Sequence, residues 1–412
     1  MPTKQPIPLF PKYHELKQIQ ISDYPQVSKL LVSQPDWFLK HWEWAREFLL
    51  YIGRNKSEHT FARFRNEVER FLLWTLLVKK KPLDELKKSD ILEYADFCWR
   101  PPLNWICFVN YEKFELQNGS YIANKKWAPF RLKLSKGDTE TKLDKKKYRP
   151  SQQTLSATFT AIVAFYKYLM SEDYCDGNPA QIAKKDCRYF IRDSQVKEIK
   201  RLTSDQWQYV LDVAVDQAEM DSKYERSLFV MAALKTLFLR ISELSDRPDW
   251  SPVMSHFWED DDENWWLKVY GKGRKIRDIT VPVHFMEFLS RYRVSRGLSA
   301  LPFQGDNHPI VEKIKGQGGM TSRQLSRIVQ EIFDLAHQKM KTVEGDKKAR
   351  KLKEASSHWL RHTGASLEIE RGRALKDLSE DLGHSSMATT DAIYVHSEDK
   401  KRAESGKERK VN

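Results

Sequence analysis

The chain has 412 residues, with 70 Lys and Arg against 57 Asp and Glu for a formal net charge of +13, and 40% of it is hydrophobic. That length suits two ordinary domains, and the apolar content excludes a disordered chain. Four cysteines with no C-x-x-C pair exclude a disulfide framework and speak against structural zinc, while the basic excess favours a polyanion, because Lys and Arg release the counterions condensed on nucleic acid.

The opening MPTKQPIPLFP has no apolar export core, and no apolar run approaches the ~20 residues of a membrane span. A cytoplasmic protein with reduced thiols and no membrane partner is therefore expected. Residues 1–35 are polar and proline-spaced and read as an N-terminal extension. From Asp36 the apolar spacing becomes helical, through Phe38, Ala45, Phe48, Leu49 and Ile52, then Phe61, Phe64, Val68, Phe71 and Leu72. Ser89-Asp90 starts a third helix that Pro101-Pro102 stops. Residues 103–150 read as a long basic loop with room for strands, ending in KLDKKKYRP, where Lys145, Lys146 and Lys147 are candidate phosphate contacts or simply a solvated charge run. A fourth helix, Thr154 to Met170, completes a helical domain over 36–180, and the basic stretch 181–202 reads as a linker.

The second half, 203–398, opens on the capping box Thr203-x-x-Gln206. A helix over Arg226–Phe238 follows. Strands are expected at Trp265–Val269 and Ile276–Val281, joined by the tight segment Gly271-Lys272-Gly273-Arg274-Lys275. Helices are expected near Phe285, over Thr321–Met340, from Ser357 to Glu370 and from Leu375 to Leu382, with a charged mobile stretch at Lys341–Glu354 and a polar tail over 399–412. The fold class is mainly α with a small antiparallel β-sheet, in two lobes.

Four segments of this half concentrate cations, imidazoles and a phenol: LFLRISEL, YGKGRKIRDITVP, SHWLRHTGA and LGHSSMATTDAIYVH. Each has an ordinary structural reading: an i, i+3 ion pair, a hairpin turn, a polar helix start, a core tyrosine. Together they suit attack on a phosphodiester. Planar guanidinium forks match phosphate oxygens, imidazoles bond to phosphate or move a proton near neutral pH, and a lysine can protonate a leaving oxygen. A phenol becomes a competent nucleophile once cations ease its ionisation.

The same residues resemble the tyrosine recombinases, or phage-type integrases. Arg240 and Glu243 match that family's Arg followed by an acidic residue. Lys272 matches its hairpin lysine, and His358, Leu360, Arg361 and His362 match H-x-L-R-H. Leu382, Gly383, His384, Thr389, Thr390 and Tyr394 match its L-G-H and terminal tyrosine. The resemblance is strong over 203–398 and weaker over 36–180, where it implies a helical core-binding domain beside an α+β catalytic domain.

It implies that Tyr394 attacks the scissile phosphate to form a 3′-phosphotyrosyl link. Arg240, Arg361 and His384 would hold the phosphate, Lys272 would act as general acid and His358 as acid/base, and Glu243 would orient Arg240. Arg274, Lys275 and Arg277 would contact DNA beside Lys272. No metal, cofactor or ATP is implied. The implied partners are double-stranded recombination sites clamped by both lobes, a homotetramer on DNA, and DNA-bending accessory proteins, in a nucleoid-associated setting. A type IB-like topoisomerase, a telomere resolvase and a decayed DNA-binding protein are the alternatives.

The sequence departs from the family in two places. Phe238 stands where a glycine is usual, and ten positions rather than nine separate His384 from Tyr394. Other motifs fail: Trp359 occupies the glutamate position of H-E-x-x-H, GKGRK is no nucleotide loop, and Asp260-Asp261-Asp262-Glu263 reads as a solvated turn. Trp37, Trp42 and Trp44 read as core.

Overall fold

The computed structural model describes residues 4–132, 144–190, 200–271, 275–384, 386–394 and 406–407, with the side chains of 392–394 excepted. The chain divides into two compact units, 1–193 and 194–412. The architecture is mostly helical with small sheets.

The first unit contains α1 (Tyr13–Lys17), α2 (Pro25–Ser33), α3 (Asp36–Asn55), α4 (Glu58–Trp74), α5 (Lys88–Trp99), α6 (Gln152–Ser171) and α7 (Pro179–Asp186). Ser57 and Ser151 cap α4 and α6 by accepting hydrogen bonds from the backbone N–H groups of Thr60 and Thr154. The apolar stripes of α3, α4 and α6 meet in one core, where Trp42 and Trp44 are buried as expected. Trp44 stacks on Tyr174 at 4.7 Å between ring centroids.

One expectation for this unit is corrected. The N-terminal extension is not a free arm. Leu9, Phe10 and Leu16 are buried, and the Glu69 carboxylate on α4 accepts the backbone N–H groups of Leu9 (2.6 Å) and Phe10 (3.1 Å). The segment is sparse in apolar residues, yet it buries Leu9, Phe10, Leu16, Tyr24, Val27 and Leu31. The 103–150 stretch holds the strands for which its sequence left room, among its described residues. It contributes a parallel pair, β1 (Ile106–Cys107) with β4 (Phe130–Arg131), and an antiparallel hairpin, β2 (Phe114–Gln117) with β3 (Ser120–Ala123). Of the 181–202 linker, 181–186 lie in α7 and 191–199 are outside the described residues.

The second unit contains α8 (Ser204–Met220), α9 (Glu225–Thr236), α10 (Ile241–Leu244), β5 (Phe257–Glu259), β6 (Trp265–Tyr270), β7 (Ile276–Thr280), α11 (Val283–Ser295), α12 (Ser322–Glu344), α13 (Asp346–Glu354), α14 (Ser357–Glu370), α15 (Leu375–Leu382) and α16 (Met387–Tyr394). The capping boxes at Thr203 and Thr321 form as their sequences require. β5, β6 and β7 make one antiparallel sheet, with Trp266 opposite Thr280 and Tyr270 opposite Ile276. The acidic turn before β6 is organised by Asp260. Its carboxylate accepts the Trp266 indole N–H at 2.7 Å and the backbone N–H groups of Asp262 and Asn264.

The 341–354 stretch, expected to be mobile, is helical. α13 folds back on α12 and buries Ala349 and Leu352, two apolar residues at i, i+3 in an otherwise charged run. α9 stops at Thr236, short of the expected Phe238, because Phe238 takes a left-handed backbone (φ +50°).

α14 crosses α9 at Gly364. A β-carbon there would lie 1.9 Å from the carbonyl oxygen of Lys235 and 3.0 Å from the Phe238 ring. Phe238 also packs with Ala365, Leu378 and Leu382 in a small cluster joining α14 to α15. The four cysteines are buried free thiols, and burial pushes Cys98 up to about 12. Among the described residues no helix is long and apolar enough to cross a membrane.

Candidate active site

Arg240 is the N-cap residue immediately before α10. Its backbone is extended, so its N–H points back to the Glu243 carboxylate (2.8 Å) while its guanidinium Nη1 donates to the same group at 2.9 Å. Glu243 is almost wholly buried, at 2% exposure. It also receives two N–H bonds from Arg277 (2.9 and 3.1 Å), and Arg361 Nη1 lies 3.9 Å away. Three guanidinium groups therefore surround one carboxylate. Burial alone would raise the Glu243 pKa. The hydrogen bond and charge of Arg277, the Arg240 N–H and the charge of Arg361 outweigh it and hold the carboxyl below its ordinary value.

Arg361, on α14, is buried at 2% exposure. Its Nη1 donates to the carbonyl of Phe238 and its Nη2 to that of Leu382 at 2.6 Å. The left-handed turn at Phe238 places a carbonyl beside this guanidinium, so the departure from glycine keeps the backbone shape at a cost of roughly 1–2 kcal/mol. The ring offsets that cost by packing in the Ala365–Leu378–Leu382 cluster.

His384 follows Gly383, which ends α15 with φ +62° and lies against Arg277, where a β-carbon would come within 2.8 Å of its Nε. Glycine is required there for both reasons. The His384 Nδ1 is 2.8 Å from Thr390 Oγ1, which ties the imidazole to α16. His358 and His362, one turn apart on α14, place their Nε2 atoms 3.0 Å apart. Burial, then the charges of Arg361, Arg240 and Arg277, push His384 down to about 4. Burial, then His358, Arg361 and His384, push His362 down to about 4. His358 is lowered by burial, Arg361 and Arg240. All three imidazoles are neutral at pH 7.

This makes stability pH-dependent. An unfolded histidine titrates near 6.5, so below that pH the unfolded chain takes up protons that folded His362 and His384 refuse until about 4. Stability contributed by the neutral imidazoles is complete above pH 6.5 and falls as the pH drops toward 4. Urea unfolding across that range should show the decline, and a variant with both histidines changed to glutamine should show a shallower one. Equal slopes would contradict the assignment.

The structure thus brings Arg240, Glu243, His358, Arg361 and His384 together. Tyr394 ends α16, which packs against α14 and α15, but its side chain lies outside the described residues. Lys272 and Arg274, between β6 and β7, also lie outside them, whereas Lys275 is exposed.

Arg277 is a correction. Expected to face DNA, it turns inward to Glu243, and its Nε donates to the Asp381 carbonyl at 2.9 Å. Its strand held the signal, since Arg277 alternates with buried Ile279 on β7 and with buried Val281 just past its end. Asp381, which no motif marks, has a buried carboxylate that accepts the Thr280 N–H (3.2 Å), the Thr280 hydroxyl (2.7 Å) and an Arg373 N–H (2.6 Å).

In the first unit Lys146 and Lys147 are exposed, while Lys145 donates to the Leu103 carbonyl at 3.2 Å. A polar concavity of about 640 Å³, lined in part by Lys12, Arg65, Arg70, Lys113, Arg131 and Arg149, was not visible in the sequence.

The model of the Phage integrase family matches residues 200–401. Tyrosine recombinase XerC of Lactobacillus delbrueckii subsp. bulgaricus is 24% identical over 290 residues, covering 69% of this chain and 83% of its own. XerC of Thermodesulfovibrio yellowstonii is 27% identical over 252 residues, covering 60% and 72%. The XerH site-specific recombinase, solved bound to a palindromic difH substrate in a post-cleavage complex, aligns with a TM-score of 0.54 over 96% of this chain and 92% of its own, at 14% identity. The Tn1549 transposon integrase, solved with circular intermediate DNA, aligns with a TM-score of 0.52 over 89% and 98%, at 18% identity. At those identities the structural likeness shows the fold.

Proposed function

From the premise that this chain belongs to the tyrosine recombinase family, its integrase region spanning residues 200–401, we propose that it cuts and rejoins double-stranded DNA at specific sites through a 3′-phosphotyrosyl intermediate. The observation that carries the reading is the convergence of Arg240 and Arg361, distant in sequence, on the buried carboxylate of Glu243. Two guanidinium groups fixed before substrate arrives suit a phosphorane-like transition state, because no reorganisation is needed as charge develops.

In this reading the Tyr394 phenolate oxygen attacks the scissile phosphorus and the bond to the 5′-oxygen breaks. Lys272 gives that oxygen its proton. Arg240, Arg361 and His384 hold the nonbridging oxygens, and neutral His358 accepts the phenol proton. The phosphodiester energy is kept in the tyrosyl ester, so religation by a 5′-hydroxyl requires neither ATP nor a metal. Attack by the hydroxyl of a partner strand exchanges strands, which calls for an assembly of protomers on two sites; a homotetramer is the assembly proposed. The exposed Lys146 and Lys147 of the first unit support DNA binding there as well.

The test uses DNA selected for binding from a random pool and then nicked next to each candidate cleavage point, so that the short 5′-hydroxyl fragment diffuses away. Wild-type protein in EDTA should accumulate a covalent complex on denaturing gels, and Tyr394→Phe should accumulate none. Equal trapping by the variant would overturn the nucleophile, and specific binding with no trapping on any nicked site would overturn the reaction.

A further inference from the structure

The inward turn of Arg277 leads beyond that reading, although it rests on it. We infer that Arg277 is a positioning residue of the cleavage site, and that it acts through Glu243 and the Gly383 turn without touching DNA. Its three guanidinium nitrogens each donate, in two directions. Nη1 and Nη2 hold the two oxygens of Glu243 at 2.9 and 3.1 Å, while Nε holds the Asp381 carbonyl at 2.9 Å. The first pair fixes the carboxylate on which Arg240 rests. The third bond fixes the end of α15, two residues before Gly383 delivers His384.

The surroundings are shaped for this side chain. A β-carbon at Gly271 would lie 2.9 Å from Arg277 Nη1 and 3.2 Å from Glu243 Oε1, and one at Gly383 would lie within 2.9 Å of three atoms of the Arg277 side chain. Both glycines, quoted above for their motifs, leave room for one guanidinium. Asp381 is itself held by Thr280 and Arg373, so the anchor at the far end is also fixed. Arg277 is 13% exposed at its side chain and begins on the strand that follows Lys272. It therefore joins three parts of the site: the hairpin, the α10 start that carries Arg240, and the turn that carries His384. Lysine cannot replace it, because one ammonium cannot bridge a carboxylate and a carbonyl as a planar fork does.

The charged groups facing Glu243 are Arg240 from the start of α10, Arg277 from β7 and Arg361 from α14; beyond Arg277 lie Asp381 and Arg373. With Arg277→Gln, burial is less opposed and the Glu243 carboxyl shifts upward. Single-turnover cleavage at saturating DNA should fall by about 10- to 100-fold, the range for a residue that orients a reacting group through another. The loss should deepen as the pH is lowered, because protonated Glu243 no longer holds Arg240. In a Glu243→Gln background, Arg277→Gln should add only the smaller loss that comes from releasing the Asp381 carbonyl, and no pH dependence. Arg277→Lys should recover only part of the rate. DNA affinity and its salt slope should not change.

A fall in the salt slope by about 0.9, one phosphate contact, with normal cleavage at saturation would overturn the proposal. So would a rate loss that is independent of pH and additive with Glu243→Gln. If wild-type protein cuts no DNA, the cleavage reading fails and the proposal is judged by unfolding in urea. The wild-type carboxyl is held low and stabilises the fold at neutral pH, whereas the variant's raised carboxyl binds its proton sooner. The stability gap between the two proteins should therefore narrow as the pH falls from 7 toward 4. A constant gap would refute Arg277 as the group that governs Glu243.

Discussion

Replacing Arg361 with alanine should destabilise the second unit by about 3–5 kcal/mol, the cost of removing one partner from a buried charged network, and should abolish cleavage. The guanidinium is 2% exposed and bonds to carbonyls from two separate places, Phe238 just beyond α9 and Leu382 at the end of α15. Without it both carbonyls are left buried and unpartnered, at about 1–3 kcal/mol each. Glu243 also loses a positive neighbour at 3.9 Å. Arg361→Lys should lose less stability, because its charge remains, yet its single nitrogen lacks the two separated donors with which Nη1 and Nη2 reach the Phe238 and Leu382 carbonyls. Urea unfolding at pH 7 measures both variants. A loss below about 1 kcal/mol for alanine, well under the stated range, would mean that Arg361 is not the strut described.

Gly364→Ala should cost about 3 kcal/mol, at the upper end for overpacking, although alanine favours a helix over glycine by about 1 kcal/mol. The added methyl would meet the Lys235 carbonyl oxygen at 1.9 Å. The obstacle is backbone, so α9 and α14 must move apart. Gly364 lies three residues after Arg361 on the same helix, and that movement draws the guanidinium away from the Phe238 carbonyl. The melting temperature should drop by about 6–12 °C for a unit of this size, with cleavage lost at temperatures where the variant remains folded. An unchanged melting temperature would show that the helices can separate freely, contrary to the packing at this crossing.

Much of this was legible in local sequence. The boxes at Thr203 and Thr321 form because Gln206 and Gln324 stand three residues on. The β6–β7 hairpin follows from two apolar runs around a glycine-containing link. Arg240, His358, Arg361 and His384 were singled out because phosphate chemistry needs such groups, and their pattern resembled a family. Only the three-dimensional arrangement puts both arginines on Glu243.

What was missed depends on distant partners. Leu9 and Phe10 sit in a polar stretch, and nothing near them reveals that Glu69 accepts their N–H groups. α13 has two apolar residues, too few for a periodicity, and acquires its helix by packing on α12. β5 is three residues long and exists through pairing with β6. Arg277 was misread because a cation beside a basic hairpin tip suggests DNA, while its period-two partners Ile279 and Val281 point to the interior.

Mapping the DNA-linked peptide is the most direct test of the central claim, that the two arginines and the histidines prepare a phosphate for attack by Tyr394. Trapped complex formed in EDTA without ATP would be digested with protease and nuclease, and the adduct located by mass spectrometry. The account predicts a phosphotyrosyl ester on the peptide containing Tyr394, joined to the 3′ end of the cut strand. An adduct on another residue, a link to the 5′ end, or cleavage that leaves no adduct would contradict it.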